Sequence, residues 1–262
     1  MNDVFNLTRF NRVFIKSIVE RPVQILGIFA LSFSVVLLVY FLLKSIANFE
    51  IAQLFSFSIG LIGGGSLLAS LVFGYFSDGA SSASYLTLPA SPFEKWLCAA
   101  LMVVIIYPVA FLLYFRGLDT FFVHLYHAGL NRLDPRYQAQ YNAVYLFTSY
   151  DALPLIVFYY NAACAMLVGS LYFNKISFIK VALIICSLYF FTVLLNYLIT
   201  AILFKDIIHS YPFHTVIVQT GTEQGIVGIP GYLSRLFDWI VVFATPTIFL
   251  FISYIRLKEK EV

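Results

Sequence analysis

Charge is what this chain has least of: Asp, Glu, Lys and Arg make up 11% of its 262 residues, while 61% are hydrophobic and 18% aromatic. Soluble domains carry charge on roughly a quarter of their residues, so this balance excludes a soluble globular class, and the chain needs a bilayer as its solvent. Ionisable groups are scarcest inside the apolar runs. Asp78, Glu94, Lys95, Asp151 and Asp238 fall at the ends of those runs, and the polar residues deeper in are Asn161, Asn196 and scattered Ser and Thr. Charged groups within a membrane are expensive and mark ion or proton pathways. The lack of an embedded Asp, Glu or His relay therefore argues against a proton-coupled pump and against an intramembrane metalloprotease.

Cysteine is scarce too. Cys98, Cys164 and Cys186 all fall within apolar runs, which excludes a disulfide framework or a zinc cluster and reads as buried structural thiols. His124 and His127 form a His-x-x-His pair whose spacing could set both rings on one helical face, but it lacks the Glu and the spacing of a metal-binding His-Glu-x-x-His helix. Both are expected at the interface or surface, His209 and His214 are outer-loop residues without a role, and no metal is expected. No nucleotide-binding signature occurs: the glycines from Gly60 to Gly74 lack the Gly-Lys-Ser/Thr ending of a phosphate loop. Any use of ATP therefore belongs to another polypeptide, and the chain itself is expected to be no enzyme, to hold no cofactor and to bind no nucleic acid. About 22 mostly amphipathic residues precede the first apolar run and no small-residue cleavage site follows it, so that run is expected to be retained. With no fixed-period repeat, low-complexity tract or linker, residues 1–262 read as one membrane domain.

What the chain has is six apolar runs that reach or approach the ~20 residues needed to cross a bilayer, at about 23–43, 53–76, 96–115, 153–173, 181–204 and 239–254. With the N-terminus inside, the cytoplasmic side receives Arg9, Arg12, Lys16, Arg21, Lys95, Lys175, Lys180, Arg256, Lys258 and Lys260. The outer side receives Lys44, Arg116, Arg132, Arg136, Lys205 and Arg235, spread over longer loops whose charges weigh less. Both termini are predicted to be cytoplasmic.

Residues 3–21 place Leu7, Phe10, Phe14 and Ile18 at helical spacing and Arg9, Arg12, Lys16 and Glu20 on another face, which predicts a helix lying in the interface; a plain juxtamembrane tether is the alternative. Pro22 marks the turn into the first span. In the second span Gly60, Gly63, Gly64, Gly65, Ser66, Ser70 and Gly74 predict a face for close helix packing. Asn161 and Asn196 either bond across helices or line a pathway. Two outer segments, about 116–152 and 205–237, are long enough for structure of their own. The first opens with the aromatic run Phe121 to Tyr126 and spaces Tyr137, Tyr141 and Tyr145 for a helix resting on the interface. The second holds a β-prone Thr215-Val-Ile-Val-Gln219, but its glycine density predicts irregular backbone. The fold expected is thus an all-α integral membrane protein: an amphipathic interfacial helix at 1–22, six transmembrane helices and structured outer loops.

Between the second and third spans, Asp78-Gly-Ala-Ser-Ser82 forms turns, Pro89 and Pro92 stiffen the backbone, and Glu94-Lys95 marks re-entry into the membrane. Either this is a solvated loop or an elbow able to pass a partner's movement into the bilayer. Leu86-Thr-Leu-Pro-Ala-Ser-Pro-Phe-Glu-Lys95 resembles the Leu-Pro-x-Ser-x-x-Glu stretch at this place in ATP-binding-cassette type-2 exporter permeases, most closely a divergent Bacteroidetes-like branch. The motif covers about ten residues, whereas the likeness in layout covers nearly the whole chain. The resemblance implies a permease subunit of a bacterial inner-membrane exporter, paired with a second permease copy and driven by a separate ATPase that holds ATP and magnesium. It further implies that Leu88, Pro89, Ser91 and Glu94 belong to the coupling loop, with Arg9, Arg12 and Lys16 on the neighbouring interfacial helix. The segment 116–152 is longer than that family leads one to expect. The competing expectation is a non-transporting scaffold that holds envelope proteins through its outer loops.

Overall fold

A computed structural model describes residues 5–20, 22–46, 49–77, 89–129, 144–148, 151–173, 176–204, 207–210, 212, 215–220, 223–228 and 230–260. Helix α1, Leu7–Glu20, precedes six helices long and apolar enough to cross a membrane: α2, Pro22–Ile46; α3, Phe49–Val72; α4, Pro92–Ala128; α5, Ala152–Tyr172; α6, Ser177–Leu203; and α7, Gly231–Lys260. Even the shortest, α5 with 21 residues, rises roughly 31 Å, enough for the hydrocarbon core. The protein is an all-α multi-pass membrane protein.

The centre of the bundle is α3, α4 and α5, whose aromatic and aliphatic side chains Phe57, Leu68, Tyr107, Phe111, Tyr159 and Leu167 are buried. Helices α2, α6 and α7 wrap this centre and turn large apolar side chains such as Leu37, Phe190, Ile202 and Phe251 outward, as helices bathed in lipid do. Lipid tails are as apolar as leucine, so packing rests on close contact. A methyl group added at Gly60 would overlap Val36 and Phe111, one at Gly64 the hydroxyls of Tyr107 and Ser32, and one at Gly65 the ring of Tyr159. Gly63 meets nothing within 4 Å and does not belong to this seam.

Three spans contain a π turn: Ile59–Gly64 in α3, Met102–Ile106 in α4 and Ile240–Ala244 in α7. A π turn disturbs the regular backbone ladder, and no water is at hand within a membrane to satisfy a loosened carbonyl. Each turn receives a side-chain donor from another helix or turn. Tyr107 Oη donates to Gly60 O at 2.6 Å, and with its proton so used it accepts from Ser32 Oγ at 2.9 Å. Tyr159 Oη donates to Val103 O, and Asn161 Nδ2 donates to Val241 O at 3.0 Å.

Several expectations change. Helix α4 extends far beyond 96–115, so the aromatic run Phe121 to Tyr126 is its final stretch and not the opening of an outer segment. No proline interrupts it after Pro108, and Asp119 turns inward to receive hydrogen bonds. Phe122, Val123 and His127 are buried while Phe121, His124 and Leu125 are exposed, so the two histidines do not share an environment. Among the described residues no group of three His, Cys, Asp or Glu could hold a metal. Tyr145 lies in non-helical backbone and packs its ring on Phe57 and Phe115, whereas Tyr137, Tyr141 and His214 lie outside the described residues.

Within 205–237 the described backbone also departs from expectation, because three stretches of it are paired: β1, Ile207–Ser210, β2, Thr215–Thr220, and β3, Glu223–Gly228, form an antiparallel meander. The β-prone stretch is its middle strand, bonded on both edges, and Gly225 faces Val218 with room to spare. Helix α7 begins at Gly231, well before the expected 239. Of the three thiols Cys98 and Cys164 are buried, but Cys186 is exposed on α6.

Candidate functional site

Six crossings put α1, the start of α4 and the end of α7 on one side of the bilayer, the proximal side, and the sheet, the end of α4 and Tyr145 on the other. On the proximal side a cluster of polar contacts converges on the first turn of α4. Ser91 is the N-cap and Pro92 the first helical residue, which suits a proline whose missing N–H would have had no partner there. Ser91 Oγ accepts from the Glu94 amide at 3.2 Å, and Glu94 Oε2 accepts from the Ser91 amide at 3.0 Å, which closes a reciprocal capping box.

Glu94 does more than cap. Its Oε1 accepts from the Asn6 amide at 2.6 Å and from Arg9 Nη2 at 3.2 Å, tying α1 to α4 across 88 and 85 residues of sequence. Glu94 is 0% exposed, and a carboxylate so buried persists because hydrogen bonds and a guanidinium satisfy it. Successive helix residues point about 100° apart, and the neighbours of Glu94 use the other directions. Phe93 packs on Phe5 and Tyr254, and Trp96 packs on Tyr254 while its Nε1 donates to Ser253 Oγ at 2.7 Å. Lys95, 1% exposed, lines a cleft between α1 and the bundle. The turn Phe93–Trp96 thus holds α1 by one face and α7 by another, at the head of a single helix of 37 residues.

Of the residues singled out from sequence, Ser91, Glu94 and Arg9 come together in direct contact. Pro89 is exposed just before them, Arg12 is exposed on the outer face of α1, and Lys16 pairs with Glu20 at 3.2 Å. Leu88 lies outside the described residues. Asn161, which also donates to Val157 O at 3.0 Å, bonds across to α7 as a packing residue. Asn196 is half-buried on α6, and its carbonyl accepts from Thr200 Oγ1 at 2.9 Å.

Sequence reasoning missed two features. Asp119, 1% exposed, accepts from Tyr40 Oη at 2.6 Å, Gln53 Nε2 at 2.8 Å and the Tyr145 amide at 2.7 Å, fastening α2, α3 and the distal segment to α4. Its position beyond the third apolar run disguised it as a loop carboxylate. The capping box was legible as Ser-x-x-Glu with proline at the first helical position, a local rule that sets the helix start at Pro92. Family models, curated proteins and solved structures offer no match to this chain.

Proposed function

We propose that this chain is the membrane-spanning permease subunit of an ATP-driven exporter of a bacterial inner membrane, with the proximal side and both termini in the cytoplasm. The observation that carries the reading is the first turn of α4, where buried Glu94 holds α1 and the Phe93–Trp96 face holds α7. A separate ATPase, with ATP and magnesium bound to it, would press on the segment ahead of Pro89. Closure of the paired ATPases would then move α1, α4 and α7 as one lever, and two permease copies would open a pathway between them. This chain supplies mechanical coupling and no catalytic group.

The test is co-purification. A tagged full-length chain in mild detergent is expected to bring down an ATPase with a phosphate loop, and Glu94→Ala is expected to weaken that association and stop cargo export. Recovery of no ATPase, together with intact cellular function in Glu94→Ala, would overturn the reading. The distal sheet β1–β3 and the Asp119 fastening favour one second reading, a scaffold for envelope proteins. It would be recognised by distal-side partners that persist when the proximal site is altered.

A further inference from the structure

Beneath the second half of α1 lies a cleft, open on one side, walled by α1, the start of α2, the end of α3 and the start of α4. Its wall is apolar along Ile25, Ile28, Leu68, Leu71 and Met102, and its charged lining consists of Lys16, Glu20 and Lys95. Two of those three are cations, and Lys95 is almost wholly withdrawn from solvent. The α1 helix exposes Leu7, Ile15 and Val19 on the face turned away from the bundle, the arrangement of a helix seated at the headgroup boundary.

We infer that this cleft holds one anionic phospholipid, with its phosphate beside Lys16 and Lys95 and one acyl chain along the apolar wall. Two features select that occupant. The lining carries one net positive charge, Lys95 beside the Lys16–Glu20 pair, next to an apolar wall, which matches a ligand that is anionic at one end and hydrocarbon at the other. The cleft lies between an interfacial helix and the spans, where lipid is the solvent. The lipid is a wedge under α1, whose other half is pinned by the Arg9–Glu94 pair at 3.2 Å. It would be held whether or not an ATPase binds the same side.

Native mass spectrometry of the full-length protein, released from nanodiscs of phosphatidylcholine alone or mixed with phosphatidylglycerol, tests this directly. A single phosphatidylglycerol is expected to stay on each chain and to raise the melting temperature, while phosphatidylcholine does neither. Lys16→Gln, at a side chain 39% exposed and so tolerant of change, should weaken retention of the anionic lipid by about tenfold, the loss of one charge-assisted contact. Ser17→Phe, which projects a ring into the cleft without altering charge, should abolish retention. Equal retention of the two lipids, wild-type retention by Lys16→Gln or by a folded Ser17→Phe, or a melting shift of the same size with inorganic phosphate would each overturn the inference.

Discussion

Replacing Glu94 with alanine removes the acceptor for three donors at once, and the structure separates what each one holds. The Ser91 amide belongs to the start of α4, and a lost cap of this kind costs about 1 kcal/mol. The Asn6 amide and Arg9 hold α1. A hydrogen bond to a charged group contributes about 1.5–3 kcal/mol. The ion pair, with Arg9 33% exposed, adds about 0.5 kcal/mol after solvent screening. Glu94→Ala should therefore weaken the docking of α1 by about 2–3 kcal/mol, raising its opening constant roughly 30- to 150-fold. Hydrogen–deuterium exchange of peptides from residues 5–20, measured on the full chain in nanodiscs, reads that opening. Glu94→Gln keeps an oxygen acceptor without charge and should fall between the alanine variant and wild type. Arg9→Gln should show a small effect, and Ser91→Ala should lower global stability while leaving α1 protected. Unchanged exchange of α1 in Glu94→Ala, or release of α1 by Ser91→Ala to the same extent, would refute the assignment of Glu94 as the fastening.

Other perturbations probe the remaining joints. Tyr107→Phe removes the donor to Gly60 O in the π turn of α3 and should cost about 1–3 kcal/mol, seen as a lower melting temperature in detergent. Gly64→Ala, which drives a methyl into the hydroxyls of Tyr107 and Ser32, should destabilise by about 1–3 kcal/mol. Gly63→Ala faces open space and should be neutral or stabilising by up to about 1 kcal/mol in the same melt, a contrast that fails if the seam is misplaced. Asp119→Ala strands two buried donors and one half-buried donor and should cost about 3–5 kcal/mol, with faster exchange at the Tyr145 amide as its local signature.

The three π turns and the two buried carboxylates answer one physical demand. Inside a bilayer every polar group must find its partner within the protein. Tyr107 and Tyr159 point hydroxyls at carbonyls of π turns in the central helices, and Asn161 does the same for α7. Glu94, in the first turn of the 37-residue helix α4, and Asp119, in its distal part, each gather donors from several elements and act as knots. A helix fastened at two such points transmits displacement between them, which is what the proposed coupling role asks of it.

By itself the sequence determined the class and the count of spans, because a run of about 20 apolar residues has no stable alternative to a membrane helix. The amphipathic helix α1 was also legible through helical periodicity, and the resemblance had placed Ser91 and Glu94 in one loop with Arg9 on the neighbouring helix. Only the tertiary structure decided how those residues join. That Glu94 receives the amide of Asn6, that Asp119 is interior though it follows Arg116, and that Tyr145 turns toward Phe57 all depend on contacts between distant segments. Of the strands, β2 was legible as a β-prone stretch, but its pairing with β1 and β3 was hidden for the same reason: backbone pairing across a meander leaves only a weak local signal among glycines. Apolarity is a property of each residue and can be summed along a chain, whereas the satisfaction of a buried polar group depends on where its partner arrives.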